Sequence, residues 1–202
     1  TRIYRVLCQQ GMPLRLLSIY NSHLRNTMHI RKGLSTDLAR LECCDFSFTV
    51  DEIAREPFLN GDLHIEALTE PYLKTYELDL QTLENHCVNP DSIFLIAETD
   101  DGEIAGFITA SCNWNKFISV DYIAVERSKR RTGAAHKLMS ATHVWARSLN
   151  APGLRLETQN VNVSACLFYR HYGFILGGYD RYLYNALPEK DEVALFWYYM
   201  LA

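Results

Sequence analysis

Between Val120 and Lys137 the chain reads VDYIAVERSKRRTGAAHK: an apolar, β-branched run, then five basic side chains (Arg127, Lys129, Arg130, Arg131, Lys137) around a small-residue corner at Gly133, Ala134 and Ala135. From Ala134 to Arg147 the pattern becomes helical, with Leu138, Ala141 and Trp145 spaced by three and four, so the small residues stand where a helix begins. The first turn of a helix carries free N–H groups and the positive end of its dipole, and glycine lets an anion approach the backbone without a Cβ in the way. The segment therefore reads as a phosphate cradle. Taken alone, Arg130-x-x-Gly133-x-Ala135 is a weak pattern, and a basic run is more often a solvated face than a binding site.

A second element downstream adds specificity. Leu154-Arg-Leu-Glu-Thr-Gln-Asn-Val-Asn162 is followed by Ala165, Phe168-Tyr169 and His171-Tyr-Gly173-Phe174, which predicts a strand, an Asn-capped helix and a Gly-terminated return to extended chain. The order strand, R-x-x-G-x-A helix, strand, N-x-x-A-x-x-x-Y-x-x-x-G-F resembles the GCN5-related N-acetyltransferase (GNAT) superfamily. Glu70-Pro-Tyr-Leu-Lys-Thr-Tyr76, Asn113-Trp-Asn115, Leu156-Glu-Thr-Gln159 and Ala194-Leu-Phe-Trp-Tyr198 narrow the likeness to streptothricin acetyltransferases, from roughly residue 63 onward. There are two departures: Ala135 stands where many relatives have Gly, and Asp121-Tyr122 where relatives commonly carry two acidic residues.

The resemblance implies an α+β GNAT fold, with a mixed, mostly antiparallel central sheet of about six to seven strands flanked by helices. It implies acetyl-CoA as co-substrate, with the pyrophosphate on Arg130, Arg131, Thr132, Gly133, Ala134, Ala135 and His136. The pantetheine arm would pair with Ile123 and Val125 like an extra strand, and the Val125 N–H would donate to the oxyanion. Asn162 caps its helix and by resemblance also reaches the cofactor. Tyr169 matches the tyrosine that protonates the departing sulfur; a core aromatic is its plainer reading. The implied outcome is acetylation of a cationic antibiotic's β-lysine amine and hence resistance. An acetyltransferase for a protein N-terminus, lysine or polyamine stays open, as does a non-catalytic acyl-CoA-binding domain.

The chemistry sets its own demands. A primary amine with pKa near ~10.4 is protonated at neutral pH and must lose a proton before it attacks a thioester. Asp121, on the strand leading into the cradle, and Glu157, on the opposite strand face from Leu154 and Leu156, are the candidate bases. Trp114, Tyr72 and Tyr76 are candidate acceptor contacts through stacking and cation–π interaction. Glu66, Glu70, Asp79 and Glu84 are candidate ammonium partners. Cys166 is read as a small hydrophobe and direct transfer in a ternary complex is expected.

Composition bounds the rest. With 202 residues and 48% hydrophobic content the chain can form one substantial core. Six cysteines without a C-x-x-C pair argue against a secreted disulfide scaffold, and a reducing cytoplasm is expected. The seven histidines show no zinc spacing, so no metal is expected. No apolar run reaches the roughly 20 residues that span a bilayer, and nothing resembles a nucleic-acid-binding pattern. Residues 1–27 are Arg-rich and free of acid, and are read as an N-terminal extension, non-native or disordered, before a domain of residues 28–202. That domain holds 16 of the 20 basic residues and all 24 acidic ones, a formal charge of −8, which suits a cationic acceptor. The aromatic run Phe196-Trp-Tyr-Tyr199 fits either a core or the seam of a homodimer.

The expected elements are a strand at 28–32, a helix at 36–44, irregular chain over 45–62, and strands 93–99 and 103–112 joined by Asp100-Asp101-Gly102. A strand at 117–125, a helix at 134–149, a strand at 154–159, a helix at 162–171 and strands near 175–184 and 193–200 complete the reading.

Overall fold

Why the acceptor and cofactor sides face one another is decided by a seven-stranded sheet. The computed structural model describes residues 27–58 and 61–201, so all but the last residue of the expected extension lies outside it. The elements are β1 (Met28–Lys32), α1 (Leu38–Leu41), β2 (Phe48–Arg55), β3 (His64–Lys74), α2 (Leu80–Val88), β4 (Ser92–Thr99), β5 (Ile104–Cys112), β6 (Ile118–Val125), α3 (Ala134–Ser148), β7 (Gly153–Gln159), α4 (Val163–Tyr172), β8 (Ile175–Asp180) and β9 (Ala194–Met200). The strand order is β1-β4-β5-β6-β7-β9-β8, and only β6 and β7 run parallel. The α+β expectation with six to seven mostly antiparallel strands is met.

Both faces of the sheet are covered, which is why β5 is apolar almost throughout. On one face Leu138, Met139 and Ala146 of α3 and Cys166 and Tyr169 of α4 pack with Ile108, Leu156 and Trp197. On the other, Leu41 of α1 and Leu83 of α2 cover Phe94, Ile96 and Phe107. The buried stripe of α3 is Leu138, Met139, Thr142 and Ala146, rotated slightly from the expected Leu138, Ala141 and Trp145. Because β9 lies between β7 and β8, Trp197 is buried in this chain's own core.

Two expectations are corrected. The helix at 36–44 is a 3-10 turn over Ser35–Asp37 followed by one turn of α-helix. Asp37 is drawn inward, where Arg31 grips its carboxylate at 2.7 and 2.8 Å and holds it below its usual range. After Leu41 the bonds tighten to three-residue closures, Cys43 N–H to Arg40 O and Cys44 N–H to Leu41 O. The region 45–62 is not irregular throughout: β2 pairs with β3 in a separate two-stranded sheet. Its period-two pattern is interrupted by a bulge between Val50 and Glu52, which moves Ile53 onto the buried face and hides the alternation. No helix among the described residues is long and apolar enough to cross a membrane.

Candidate active site

The site opens where β6 and β7 part. They pair only at Ile118↔Leu154 and Ser119↔Arg155, and beyond those residues the parallel ladder ends. Glu126 N–H donates to Ala105 O of the neighbouring chain segment, on the β5 side. Strand alternation therefore turns the amides of Ile123 and Val125 toward the edge that β7 has left. An extended ligand can pair there as an added strand, as the resemblance implies. A bulge opposite Thr109/Ala110 lies at Asp121 and takes this residue out of the ladder.

Beyond the free edge, α3 begins at Gly133, which has φ 91° and no side-chain cap. A Cβ at Gly133 would meet no protein atom, so its requirement is the left-handed backbone and an unobstructed approach to the amides of Ala134, Ala135 and His136. Most of the basic run is engaged elsewhere. Arg130 donates to the carbonyls of Val125, Phe46 and Ser47 at 3.3, 3.1 and 2.5 Å. Lys137 donates to Met28 O at 2.8 Å, Lys129 pairs with Glu103, and Arg127 lies 4.0 Å from Asp45. Thr132 turns its hydroxyl to Lys129 O at 2.5 Å, and His136 packs against Tyr172. The cradle's polarity thus comes from backbone amides, while Arg130 fixes the loop that presents them.

Tyr169 sits where two cavities meet, lining both. Its ring packs on Phe168, Phe174 and Trp197, with centroids 5.6, 5.8 and 6.2 Å away. Burial raises its pKa well above the ordinary phenol value, with Cys166 and Glu157 adding to the effect, so the hydroxyl stays protonated. Burial likewise pushes the Cys166 thiol up to about 12, which leaves no thiolate for an acyl-enzyme route. Asn162 accepts from Ala165 N–H at 3.2 Å as the α4 cap and also lines both cavities.

The cavity of about 470 Å³ on the α3 side is walled by Phe46, Phe48, Ile123, Val125, Ala135 and Phe168, and is mainly apolar. The cavity of about 430 Å³ on the other side of Tyr169 carries four carboxylates, Glu77, Asp121, Glu157 and Glu189, and no Lys, Arg or His. Tyr184 donates to Glu157, and Tyr76 donates to Gln159 Oε1 at 2.5 Å. Asp121 and Glu157, the two candidate bases, therefore share one pocket with Tyr76.

Trp114 is not brought there. It stands 91% exposed in the β5–β6 turn, and Tyr72 on β3 lines neither cavity. Glu66 pairs with Arg55, and Asp79 caps α2 through Thr82 N–H; the pocket's acids are instead Glu77 and Glu189. The sequence reading also missed His86 on α2. Its Nδ1 lies 2.7 Å from Thr82 O and its Nε2 3.0 Å from Asp121 Oδ2. The carbonyl only accepts, so Nδ1 is the donor to it, and Nε2 faces the Asp121 carboxylate. The pKa of His86 is raised, first by Asp121 and also by Thr82, which favours its protonated form. Its signal in sequence was its i, i+4 spacing from Thr82, which is visible only once α2 is placed.

Residues 55–174 match the profile of the Acetyltransferase (GNAT) family. The sequence is 34% identical over 149 residues to streptothricin acetyltransferase A of Bacillus subtilis (strain 168), covering 66% of this chain and 76% of that protein. It is 40% identical over 100 residues to a streptothricin acetyltransferase of Escherichia coli, covering 49% and 58%. Among solved structures, a protein described as a streptothricin acetyltransferase of Bacillus anthracis str. Ames, in complex with acetyl coenzyme A, superposes with TM-score 0.78 at 34% identity over 87% of this chain and 99% of that one. The family profile spans more than half of the chain and the likeness in fold spans nearly all that is described, so the protein belongs to the GNAT acetyltransferase family and is an acetyl-CoA-dependent N-acetyltransferase.

Proposed function

We propose that this enzyme acetylates a primary amine of a streptothricin-type antibiotic, at the β-lysine portion, and thereby inactivates it. One observation carries the reading: an acidic pocket with four carboxylates and no cationic side chain adjoins, at Tyr169, an apolar cleft that has a free strand edge. A multiply charged cation is attracted to the first, and an extended thioester arm fits the second. The names of the relatives in Bacillus subtilis and Escherichia coli support the choice of acceptor.

The cleft fits acetyl-CoA on this chain's own features: the unpaired amides of Ile123 and Val125, and a first helical turn with an open glycine corner. Bound there, acetyl-CoA supplies an activated acyl carbon and a thiolate leaving group. The Val125 N–H donates to negative charge developing on the acyl oxygen. Glu157, which carries only a neutral hydroxyl from Tyr184, takes the proton of the incoming ammonium, directly or through water. Asp121, already paired with His86 Nε2 at 3.0 Å, anchors the amine beside it. Tyr169, kept protonated by burial, donates to the sulfur through its hydroxyl.

The setting is the cytoplasm, with the chain acting alone or as a homodimer. The test is purified protein with acetyl-CoA and, in parallel, streptothricin, spermidine, a lysine peptide and an aminoglycoside, following free thiol and product mass. Preferred acetylation of streptothricin at its β-lysine amine is expected. Preference for the polyamine or peptide, or no thiol release with any amine, overturns the reading.

A further inference from the structure

A third cavity, of about 520 Å³, is lined by Arg131, Ser164, Leu167, Phe168, Arg170 and His171. It shares Ser164 and Phe168 with the apolar cleft, so the two open into one another along α4. Two guanidinium groups and an imidazole line it, with no carboxylate. These side chains come from two separate places in the fold, the loop before α3 and the last turn of α4.

Arg131 and Arg170 are unlike most arginines here. Arg31 and Arg40 bind Asp37 and Glu98, Arg55 binds Glu66, Arg127 lies near Asp45, Arg130 binds three carbonyls, and Arg181 binds Glu56. The side chains of Arg131 and Arg170 are exposed and make no hydrogen bond or ion pair to any described residue. Arg131 also sits at φ 65°, a conformation uncommon for a side-chain-bearing residue outside functional loops. An acidic domain that leaves two adjacent guanidiniums uncompensated around one concavity holds a local anion site.

We infer that this cavity binds the phosphomonoester on the nucleotide ribose of coenzyme A, the 3′-phosphate, and so distinguishes coenzyme A from its dephospho form. The three contiguous cavities are then sorted by charge: acidic for the cationic acceptor, apolar for the acyl arm, basic for the nucleotide phosphate. A phosphomonoester presents three acceptor oxygens and up to two negative charges, which guanidinium forks from two sides can grip together. Leu167 and Phe168 supply an apolar wall beside them. The inference rests on acetyl-CoA running along the free edge of β6, as in the functional reading above.

The experiment measures Kd by calorimetry for coenzyme A and for 3′-dephospho-coenzyme A, on the wild-type protein and on the double variant Arg131→Gln, Arg170→Gln. Both side chains are exposed and unpartnered, so the variant is expected to fold, and circular dichroism checks this. The wild type should bind coenzyme A roughly tenfold or more tightly than the dephospho form. In the double variant this ratio should fall toward one, and the lysine pair Arg131→Lys, Arg170→Lys should restore part of it. The ratio isolates the phosphate, because any effect on the pyrophosphate weakens both ligands alike. Equal binding of the two ligands by wild type, or a ratio kept in the double variant, overturns this site alone. Failure of both ligands to bind overturns it together with the cofactor reading.

Discussion

Replacing Tyr169 separates packing from chemistry in one residue. Its hydroxyl makes no hydrogen bond to a described residue, whereas its ring contacts Phe168, Phe174 and Trp197. Tyr169→Phe therefore removes no partnered group and keeps the ring, so stability should change by less than about 1 kcal/mol. Tyr169→Ala removes a buried ring at a cost of about 3–5 kcal/mol. If the hydroxyl protonates the departing sulfur, its loss should lower kcat by about 10²- to 10⁴-fold, or about 3–5 kcal/mol of barrier. Burial holds the phenol above its ordinary value, so the donor stays loaded and no loss of activity between pH 7 and 9 should trace to it. The assay pairs thiol release from acetyl-CoA with urea unfolding. A folded Phe variant within threefold of wild-type kcat would refute the assignment, and so would a Phe variant as unstable as the Ala one.

The other predictions follow from the carboxylates, the clamp, the glycine and the β1–β4 network. Glu157→Gln should reduce kcat about 100-fold at neutral pH, whereas Asp121→Asn should act mainly on the acceptor KM; equal kcat losses in both would count against the division of roles. His86 has its pKa raised in the folded state, so its stabilising contribution is complete below the ordinary value of 6.5 and is lost as pH rises through the higher folded value. Urea stability of wild type relative to His86→Gln should therefore decline over that window, and Asp121→Asn should abolish the decline. Gly133→Ala should cost about 1–2 kcal/mol in stability from φ 91° alone, since its methyl meets no protein atom; calorimetry should show weaker coenzyme A binding beside it. Glu98, brought down to about 2 chiefly by Arg31 and also by Arg40, contributes stability present above 4.5 and lost as pH falls toward 2. Arg31→Leu should move acid unfolding to higher pH.

What sequence could convey was the order and type of the sheet elements, because their alternation and turn residues are local. Gly102 at φ 82° in the β4–β5 turn and Asn162 capping α4 are read from a few adjacent positions. The β2–β3 sheet was hidden by a bulge that breaks its own period, and α1 by a carboxylate whose partners, Arg31 and Glu98's companion Arg40, matter only after folding. Motif and strand position single out Tyr169, Asp121 and Glu157, and folding brings the three to one cavity. His86 was missed because its two acceptors lie on α2's own backbone and on β6.

The basic run shows most clearly why charge in a sequence and charge at a site differ. Five cations stand around the small-residue corner in sequence, yet folding pairs or caps four of them and leaves Arg131 beside Arg170 from another element. The acidic pocket arises in the opposite way. Glu77 follows β3, Asp121 and Glu157 face across the β6–β7 gap, and Glu189 arrives on the β8–β9 connection. No two of these carboxylates are close in sequence, and their combined field exists only because the parallel pairing of β6 and β7 stops after two residue pairs. Restoring that pairing would close the gap from which both the anion-seeking and the cation-seeking ends of the cleft open, so the interrupted ladder is the feature on which recognition of both substrates depends.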